Sequence, residues 1–252
     1  MTTLKLAVPS KGRLKEQTED FFKAAGLPIE PVGGARGYLA RIPALPNIEV
    51  RLLSAAEIAA GVIAGDIHAG VSGEDLLREQ AGDLERVAHL LEPLGFGRAD
   101  LVVAVPVGWL DVETMADVDD VAARMEAATG RKLRVATKYV RSTRRFFTEE
   151  GVGHYRIVES AGATEGAPAA GVAELVVDIT TTGATLQANG LKILNDGVIL
   201  RSQAQLVGSL SATWSPEALL ALRTLLDSFA RTAGRANLTH DPFLHALNNT
   251  RP

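Results

Sequence analysis

Hydrophobic positions along this chain fall in short uninterrupted runs, each followed by a turn of small residues and then by a polar stretch with apolar residues at helical spacing. Short apolar runs are typical of buried strands, and strands that alternate with amphipathic helices form α/β folds. Helix starts are marked too, by the capping box Ser54-Ala55-Ala56-Glu57 and by Ser215-Pro216. The pattern predicts an α/β protein with strands at residues 4–8, 48–53, 67–71, 101–105, 133–136, 157–158 and 175–179, and a longer strand at 198–207.

Other stretches are less regular. Residues 27–47 are broken by prolines and glycines and predict a ligand-facing loop or an irregular hairpin, while residues 111–130 predict a polar, acidic helix. Asn195-Asp196-Gly197 predicts a turn, and residues 235–252 show no strong pattern.

The most informative stretch is residues 174–190, where a buried strand ends in a run of threonines. We call residues 180–185 the threonine turn: Thr180, Thr181, Thr182, Gly183, Ala184 and Thr185. Its hydroxyls, its glycine and the start of a helix near Thr185 together predict a phosphate-binding turn. An ordinary helix N-cap explains the same composition equally well. Asp178, at the end of the strand, is placed to hold a sugar hydroxyl or a hydrated metal ion.

Composition and charge limit what this turn belongs to. The chain has 252 residues, of which 46% are hydrophobic, enough for one large or two ordinary cores. The net charge is −4 and no basic run occurs, so a nucleic-acid partner is not expected. Because cysteine is absent, disulfides and thiol nucleophiles are excluded. No signal peptide or membrane-length apolar run is present, which predicts a cytoplasmic protein without a membrane partner.

Several charged residues stand at turns where they can meet an anionic ligand or remain solvated. Lys11 and Arg13 follow the first strand, and Arg36 lies between glycines without a local partner. Arg141 belongs to the densest basic stretch, which is either a solvated face or a contact face for an anion or subunit. Glu74 and Asp75 follow a small-residue turn, where they favour a helix N-terminus or contact a nucleoside. His240 and His245 form no metal-binding pattern.

Six motifs in the same order resemble the ATP phosphoribosyltransferase family, across about residues 4–210. They are Ala7-Val8-Pro9-Ser10-Lys11-Gly12-Arg13-Leu14, Gly70-Val71-Ser72-Gly73-Glu74-Asp75-Leu76, Leu94-Gly95-Phe96-Gly97, Arg134-Val135-Ala136-Thr137-Lys138-Tyr139, Thr143-Arg144-Arg145-Phe146-Phe147, and the stretch from Glu165 to Leu191. The resemblance implies a two-lobed fold similar to periplasmic binding proteins, with hinge strands and an active-site cleft between the lobes. It places lobe I at residues 1–97 and 195–252 and lobe II at 98–194.

The same resemblance implies the activity: transfer of the phosphoribosyl group of phosphoribosyl pyrophosphate to N1 of ATP, the first step of histidine biosynthesis. It assigns the 5′-phosphate to Thr181, Thr182, Gly183, Ala184 and Thr185. Glu165 and Asp178 would hold the ribose hydroxyls, and Arg13 and Arg36 would meet the pyrophosphate or triphosphate. Lys11, Gly73 and Glu74 are further ATP candidates. Mg²⁺ would arrive on the pyrophosphate, with no metal site of the protein's own.

The chain resembles the short form of the family, which lacks a C-terminal ACT-like domain and depends on a separate regulatory subunit similar to histidyl-tRNA synthetase. Some positions depart from the family pattern. Val140-Arg141-Ser142 replaces the usual Pro-Asn-Leu, and Ala161, Ala163 and Gly166 replace two serines and a bulky apolar residue. Two alternatives have the same architecture: a solute-binding or sensor protein without chemistry, and an inactive scaffolding subunit.

Overall fold

The computed structural model describes residues 3–33, 37–160, 162–232 and 241–249. Clustering of contacts divides the chain into two compact units, Met1–Gly97 with Gln203–Pro252, and Arg98–Ser202. The strands are β1 Leu4–Pro9, β2 Glu30–Val32, β3 Leu39–Arg41, β4 Ile48–Leu53, β5 Ala69–Gly73, β6 Ala88–Pro93, β7 Ala99–Pro106, β8 Leu133–Thr137, β9 Tyr155–Glu159, β10 Leu175–Thr180, β11 Leu191–Ser202 and β12 Ala204–Ser209. The helices are α1 Gly12–Ala24, α2 Ala55–Ala64, α3 Glu74–Gln80, α4 Leu84–Val87, α5 Met115–Thr129, α6 Val140–Glu149, α7 Ala184–Ala188, α8 Pro216–Thr232 and α9 Asp241–Asn249, with a 3-10 helix at Thr164–Gly166.

The first unit is built on a seven-stranded sheet of order β2-β3-β4-β1-β5-β12-β6. Strand β1 pairs in parallel with β4 and β5, and β12 pairs antiparallel with β5 and β6. Because β1 and β5 are parallel, the turns that follow them lie at the same edge of the sheet. Residues 27–47 contain the short antiparallel hairpin β2-β3, one of the two outcomes predicted for this stretch.

The second unit is built on a five-stranded sheet of order β11-β7-β10-β8-β9. Strand β8 pairs in parallel with both β10 and β9, so the carboxyl ends of all three strands lie at one edge. Strand β7 runs antiparallel between β10 and β11. The predicted buried strands 101–105, 133–136 and 175–179 are confirmed, because each lies within an observed strand whose core residues are fully buried.

The prediction of a turn at Asn195-Asp196-Gly197 is wrong. These residues lie inside β11, where the pairing with β7 shifts register between Ile193 and Val198. The Asp196 carboxylate accepts hydrogen bonds from the backbone N–H of Met115 at 2.9 and 3.1 Å, which ties this bulge to the start of α5. A local turn signal is thus overridden by pairing with β7 on both sides of these residues.

The predicted single strand at residues 198–207 is also wrong, because the chain leaves one sheet and enters the other within it. Strand β11 stays paired with β7 as far as Ser202, and β12 begins at Ala204 beside β5. The return to the first unit therefore lies at residue 203, whereas the sequence-based division puts it at 195. That the two units act as the lobes of an enzyme, with a cleft between them, stays a prediction.

A helix that the sequence pattern did not reveal lies near the end of the chain. In α9, Phe243 and Leu247 are one helical turn apart and are almost fully buried in the core of the first unit. The ring of Phe243 meets that of Trp214 edge-on, with centroids 5.3 Å apart. Within the described residues, no helix is both long enough and apolar enough to cross a membrane.

Candidate functional site

The threonine turn joins a strand whose first half is fully buried to a very short helix. Leu175, Val176 and Val177 of β10 have no exposed surface, and the strand ends at Thr180. The Oγ1 atom of Thr180 accepts a hydrogen bond from the N–H of Gly183 at 2.9 Å, and Oγ1 of Thr182 accepts one from Ala184 at 3.3 Å. These bonds fold the turn while leaving each hydroxyl its own hydrogen to donate.

Glycine is favoured at position 183 by the backbone conformation and not by a lack of room for a side chain. Gly183 has φ +77°, in the left-handed region that other residues adopt at a cost. A Cβ atom at this position would meet only Cδ1 of Ile193, at 3.7 Å, which is ordinary contact. Helix α7 has only five residues, and the side chains of Thr181, Thr182 and Thr185 around its start are exposed; that they bind an anion stays a prediction.

Asp178 lies two residues before the threonine turn, at the carboxyl end of β10. Burial raises the pKa of its carboxyl above the usual value, and the nearby charge of Glu165 raises it further. A hydrogen bond from the N–H of Ile179, 2.9 Å from Oδ1, and the positive charge of Lys138 act in the opposite direction. Lys138 and Glu165 are thus near enough to Asp178 for their charges to act on its carboxyl group, which lies beside the threonine turn.

Two features of the fold place Lys138 and Glu165 near Asp178. Lys138 directly follows β8, which is parallel to β10, so the two strands end at the same edge. Glu165 lies in the 3-10 helix, which packs against β10. In the sequence, Lys138 belongs to the densest basic stretch and to a family motif, but nothing there gives it a role beside Asp178. The signal that could have identified this role is the position of Lys138 immediately after a buried strand.

The candidates of the first unit form a second group. Lys11 is the N-cap of α1 and Arg13 lies in its first turn, following β1, while Gly73 ends the neighbouring parallel strand β5. Both cations are exposed, and neither forms an ion pair with any residue that the structure describes. Arg36 lies outside the described residues.

Glu74 is committed to contacts within the fold. Its carboxylate accepts from Nε of Arg78 at 2.8 Å and from Nε2 of Gln205 at 3.1 Å, and only 14% of its side chain is exposed. It also lies in the first turn of α3, where an acidic side chain is favourable. These contacts match the helix-terminus interpretation of the acidic pair, and an ATP contact by Glu74 stays a prediction.

The basic stretch on α6 has a buried side that carries phenylalanines and an exposed side that carries arginines. Phe147 is fully buried and Phe146 packs against the core of the second unit, whereas Arg141, Arg144 and Arg145 are exposed. Arg145 pairs with Glu149 one turn along at 3.9 Å. This helix therefore presents positive charge to its surroundings, and it begins shortly after Lys138.

Two α/β units, joined by two crossings of the chain, define a protein of the periplasmic-binding-protein-like class. A histidine kinase sensor domain described as similar to periplasmic binding proteins shares this fold, with a TM-score of 0.50 and 12% identity over 98% of this chain and 94% of that one. A chain of the ATP phosphoribosyl transferase (HisG:HisZ) complex from Thermotoga maritima is more similar, with a TM-score of 0.65 and 25% identity over 99% of this chain and 100% of that one.

Sequence comparison identifies the family. The family model described as HisG: ATP phosphoribosyltransferase matches residues 54–229. An ATP phosphoribosyltransferase of Caulobacter vibrioides (strain NA1000 / CB15N) is 63% identical over 235 residues, 93% of this chain and 73% of the relative. One of Rhodopseudomonas palustris (strain BisB18) is 58% identical over 94% of this chain and 72% of the relative.

This chain belongs to the ATP phosphoribosyltransferase family. The resemblance drawn from its motifs is thereby confirmed. Both relatives extend beyond the part that aligns, so the expectation that no further domain follows stays a prediction.

Proposed function

We propose that the chain transfers the 5-phosphoribosyl group of phosphoribosyl pyrophosphate to N1 of ATP, releasing pyrophosphate and forming phosphoribosyl-ATP, the first step of histidine biosynthesis. The observation that carries the proposal is the juxtaposition, at one edge of the second sheet, of the threonine turn with Asp178, Glu165 and Lys138. Hydroxyl donors suit a monophosphate, and carboxylates suit the hydroxyls of a sugar. A phosphorylated ribose presents both kinds of group.

The chemistry requires little from the protein as acid, base or nucleophile. N1 of adenine carries its own lone pair, and the bond that breaks joins the anomeric carbon to the leaving pyrophosphate. Catalysis therefore consists of holding two anionic substrates in line and stabilising the charge that develops on the leaving group and on the ribose ring. Mg²⁺ enters as part of the phosphoribosyl pyrophosphate substrate, carried by phosphate oxygens.

Individual roles follow from charge and position. Thr181, Thr182 and Thr185 donate to the 5′-phosphate. Asp178 and Glu165 accept from the ribose hydroxyls, and their negative charge also favours the cationic character of the reacting ring. The cations of the first unit, Lys11 and Arg13, together with Arg36, neutralise the pyrophosphate and triphosphate. Gly73 and Glu74 are assigned to ATP as the weakest part of this set.

A regulatory subunit completes the proposal. The Thermotoga maritima chain that shares this fold was solved as a HisG:HisZ complex. We propose that this chain likewise assembles with a separate regulatory subunit, and that its activity alone is lower than in the complex. Sedimentation of the chain with and without that subunit tests the assembly, and an unchanged sedimentation coefficient would contradict it.

The activity itself is tested by incubating the chain with ATP, phosphoribosyl pyrophosphate and Mg²⁺ and following the ultraviolet absorbance of the product. Thr182→Ala is expected to raise the KM for phosphoribosyl pyrophosphate about tenfold, from the loss of one hydrogen bond to a charged group. Thr148→Ala is the matched control, because this exposed threonine lies on α6 and its hydroxyl donates to the backbone of Arg144. Absence of turnover with and without the regulatory subunit would leave the solute-binding and scaffolding alternatives in place.

A further inference from the structure

A second concentration of positive charge lies at the opposite end of the same strands. There a cavity of about 270 Å³ is lined by Met125, Gly130, Arg131, Lys132, Arg134, Arg156 and Glu174. Glu174 directly precedes β10, whereas the threonine turn begins at the last residue of this strand, so the two are separated by roughly 20 Å along it. A ligand in this cavity is therefore distinct from one held by the threonine turn.

One arginine of the cavity is fixed in place by Glu174, the one acidic residue that the described part of the chain contributes to the lining. Nη2 of Arg134 donates to Oε1 of Glu174 at 2.6 Å, and Nε of Arg134 is 3.1 Å from both carboxylate oxygens. The backbone N–H of Arg134 donates to the same carboxylate at 2.6 Å. This set of bonds uses the whole carboxylate of Glu174, so it neutralises one positive charge and no more.

Three positive charges remain. The side chains of Arg131, Lys132 and Arg156 form no ion pair with any residue in the described part of the chain. Burial acts to raise the pKa of Glu174, but the hydrogen bonds and the charge of Arg134, with a smaller contribution from the charge of Arg131, lower it below the usual value. With four cations and one carboxylate, the lining carries a net charge of about +3, which attracts an anion.

The arginines are also placed against each other. Arg134 of β8 and Arg156 of β9 are direct partners in the parallel register, so two like charges stand side by side on neighbouring strands. Like charges in that position destabilise a sheet. Arg134 has Glu174 as its counterion, and Arg156 has none among the described residues. An anion bound beside Arg156 would supply this counterion.

We propose that this cavity is a binding site for a small phosphate-bearing anion of the size of pyrophosphate. Guanidinium and ammonium groups are the side chains that bind phosphate oxygens most strongly. A volume of 270 Å³ corresponds to roughly nine water molecules at about 30 Å³ each. That space accepts a diphosphate and is below the size of most drug-sized pockets.

The test is a titration followed by ¹H–¹⁵N NMR of the full chain, because the amides of residues 131, 132 and 156 report on the cavity and those of residues 181–183 report separately on the threonine turn. Pyrophosphate, inorganic phosphate and ATP are added in separate arms at constant ionic strength maintained with sodium chloride. Saturable shifts of the cavity amides with pyrophosphate or inorganic phosphate support the proposal, and the tighter binding of the two identifies the ligand. Cavity shifts with ATP alone, or no cavity shifts in any arm, would contradict it. Shifts confined to residues 181–183 would overturn it.

Charge variants make the test specific. Arg156→Gln is expected to weaken the binding seen at the cavity by at least about fivefold, through the loss of one charge-assisted contact. Lys132→Gln provides a second, exposed position in case the first variant folds poorly. Arg124→Gln is the matched control, because this exposed arginine of α5 lies outside the lining and donates to the backbone of Asp120. Equal weakening by all three variants would mean general attraction by charge and would refute a built site.

Discussion

Replacing Asp178 with asparagine measures two effects of this carboxylate separately: its effect on the stability of the folded chain and its effect on substrate binding. The substitution removes the charge and keeps the shape, and Oδ1 of asparagine can still accept from the N–H of Ile179. Burial raises the pKa of Asp178, which means that the folded chain holds the charged form at a cost. We therefore expect Asp178→Asn to be as stable as the parent chain or more stable at pH 7.

The pH dependence follows from the direction of the shift. An acid with a raised pKa binds more protons in the folded state, so the stability that it contributes falls as pH rises from its usual value of 3.8 to the raised value. Above both values the cost is constant. The difference in stability between Asp178→Asn and the parent chain should accordingly be near zero in strong acid, grow through that window, and stay level to pH 7.

The effect on substrate binding has the opposite sign. A hydrogen bond to a charged group contributes about 1.5 to 3 kcal/mol, against roughly 0.5 to 1.5 kcal/mol for a neutral one. The difference of about 1.4 kcal/mol per contact is tenfold in affinity. Asp178→Asn should therefore raise the KM for phosphoribosyl pyrophosphate about tenfold if the carboxylate holds one ribose hydroxyl, and about a hundredfold if it holds two.

Two measurements on the same protein decide the matter: KM values for both substrates, and urea unfolding between pH 3 and pH 7. Asp120→Asn is the control, because it makes the same change on an exposed residue of α5 in the same unit. A variant that is less stable but has an unchanged KM would show that Asp178 serves the fold, and it would remove this residue from the site.

Three further predictions concern the same unit. Gly183→Ala should lower the free energy of unfolding by about 1 to 2 kcal/mol, because the cost is that of a left-handed backbone at φ +77° and not a clash; a loss above about 3 kcal/mol in urea unfolding would refute this. Lys138→Gln should move the pKa of Asp178 further upward, which a carboxyl ¹³C titration of the free chain measures, and an unchanged titration would show that the two groups do not interact. Glu174→Gln should lower the urea midpoint at pH 7, and by a smaller amount in 1 M salt, because salt screens the ion pair with Arg134. The difference from the parent chain should shrink below pH 4.5, because the lowered pKa of Glu174 corresponds to stability that is lost when this carboxylate is protonated. A difference that persists in acid would assign the loss to packing.

The parts of the fold that local sequence predicted are those whose signal is local. Residues 101–105 are an uninterrupted apolar run and are fully buried, and so are Leu175, Val176 and Val177 at the start of β10. The capping box at Ser54 is present with both of its hydrogen bonds. In each case the prediction needs only residues that are close together in the sequence. An apolar run indicates a buried strand, and a capping box is formed by residues three positions apart.

The parts that the sequence did not predict depend on distant partners. Asn195-Asp196-Gly197 carries a strong turn signal, but pairing with β7 and the contact of Asp196 with Met115 hold it within a strand. Phe243 and Leu247 become core residues only because Trp214 and its neighbours lie where α9 can cover them. Sequence spacing cannot reveal contacts between residues this far apart.

The candidate site likewise has one part that the sequence predicts and another that depends on distant partners. The threonine turn was predicted because its chemistry is contiguous along the chain. The grouping of Asp178 with Glu165 and Lys138 requires knowing that β8 and β10 are parallel neighbours and that a 3-10 helix packs on β10. Glu74 shows the converse, since its sequence context allowed a ligand role while the structure shows contacts with Arg78 and Gln205.

Strand β10 gives the physical argument for where a ligand belongs. Glu174 and Asp178 are four residues apart along nearly the same extended segment, a spacing that puts them on one face, yet their pKa values shift in opposite directions. Glu174 has Arg134 as a bidentate partner, so its charge is stabilised by the fold. Asp178 is partly buried, has Glu165 as an acidic neighbour, and receives only partial compensation from Lys138. A charge that the fold holds at a cost is typical of a functional site, and the sugar hydroxyls of a phosphoribosyl donor are the groups that would stabilise it.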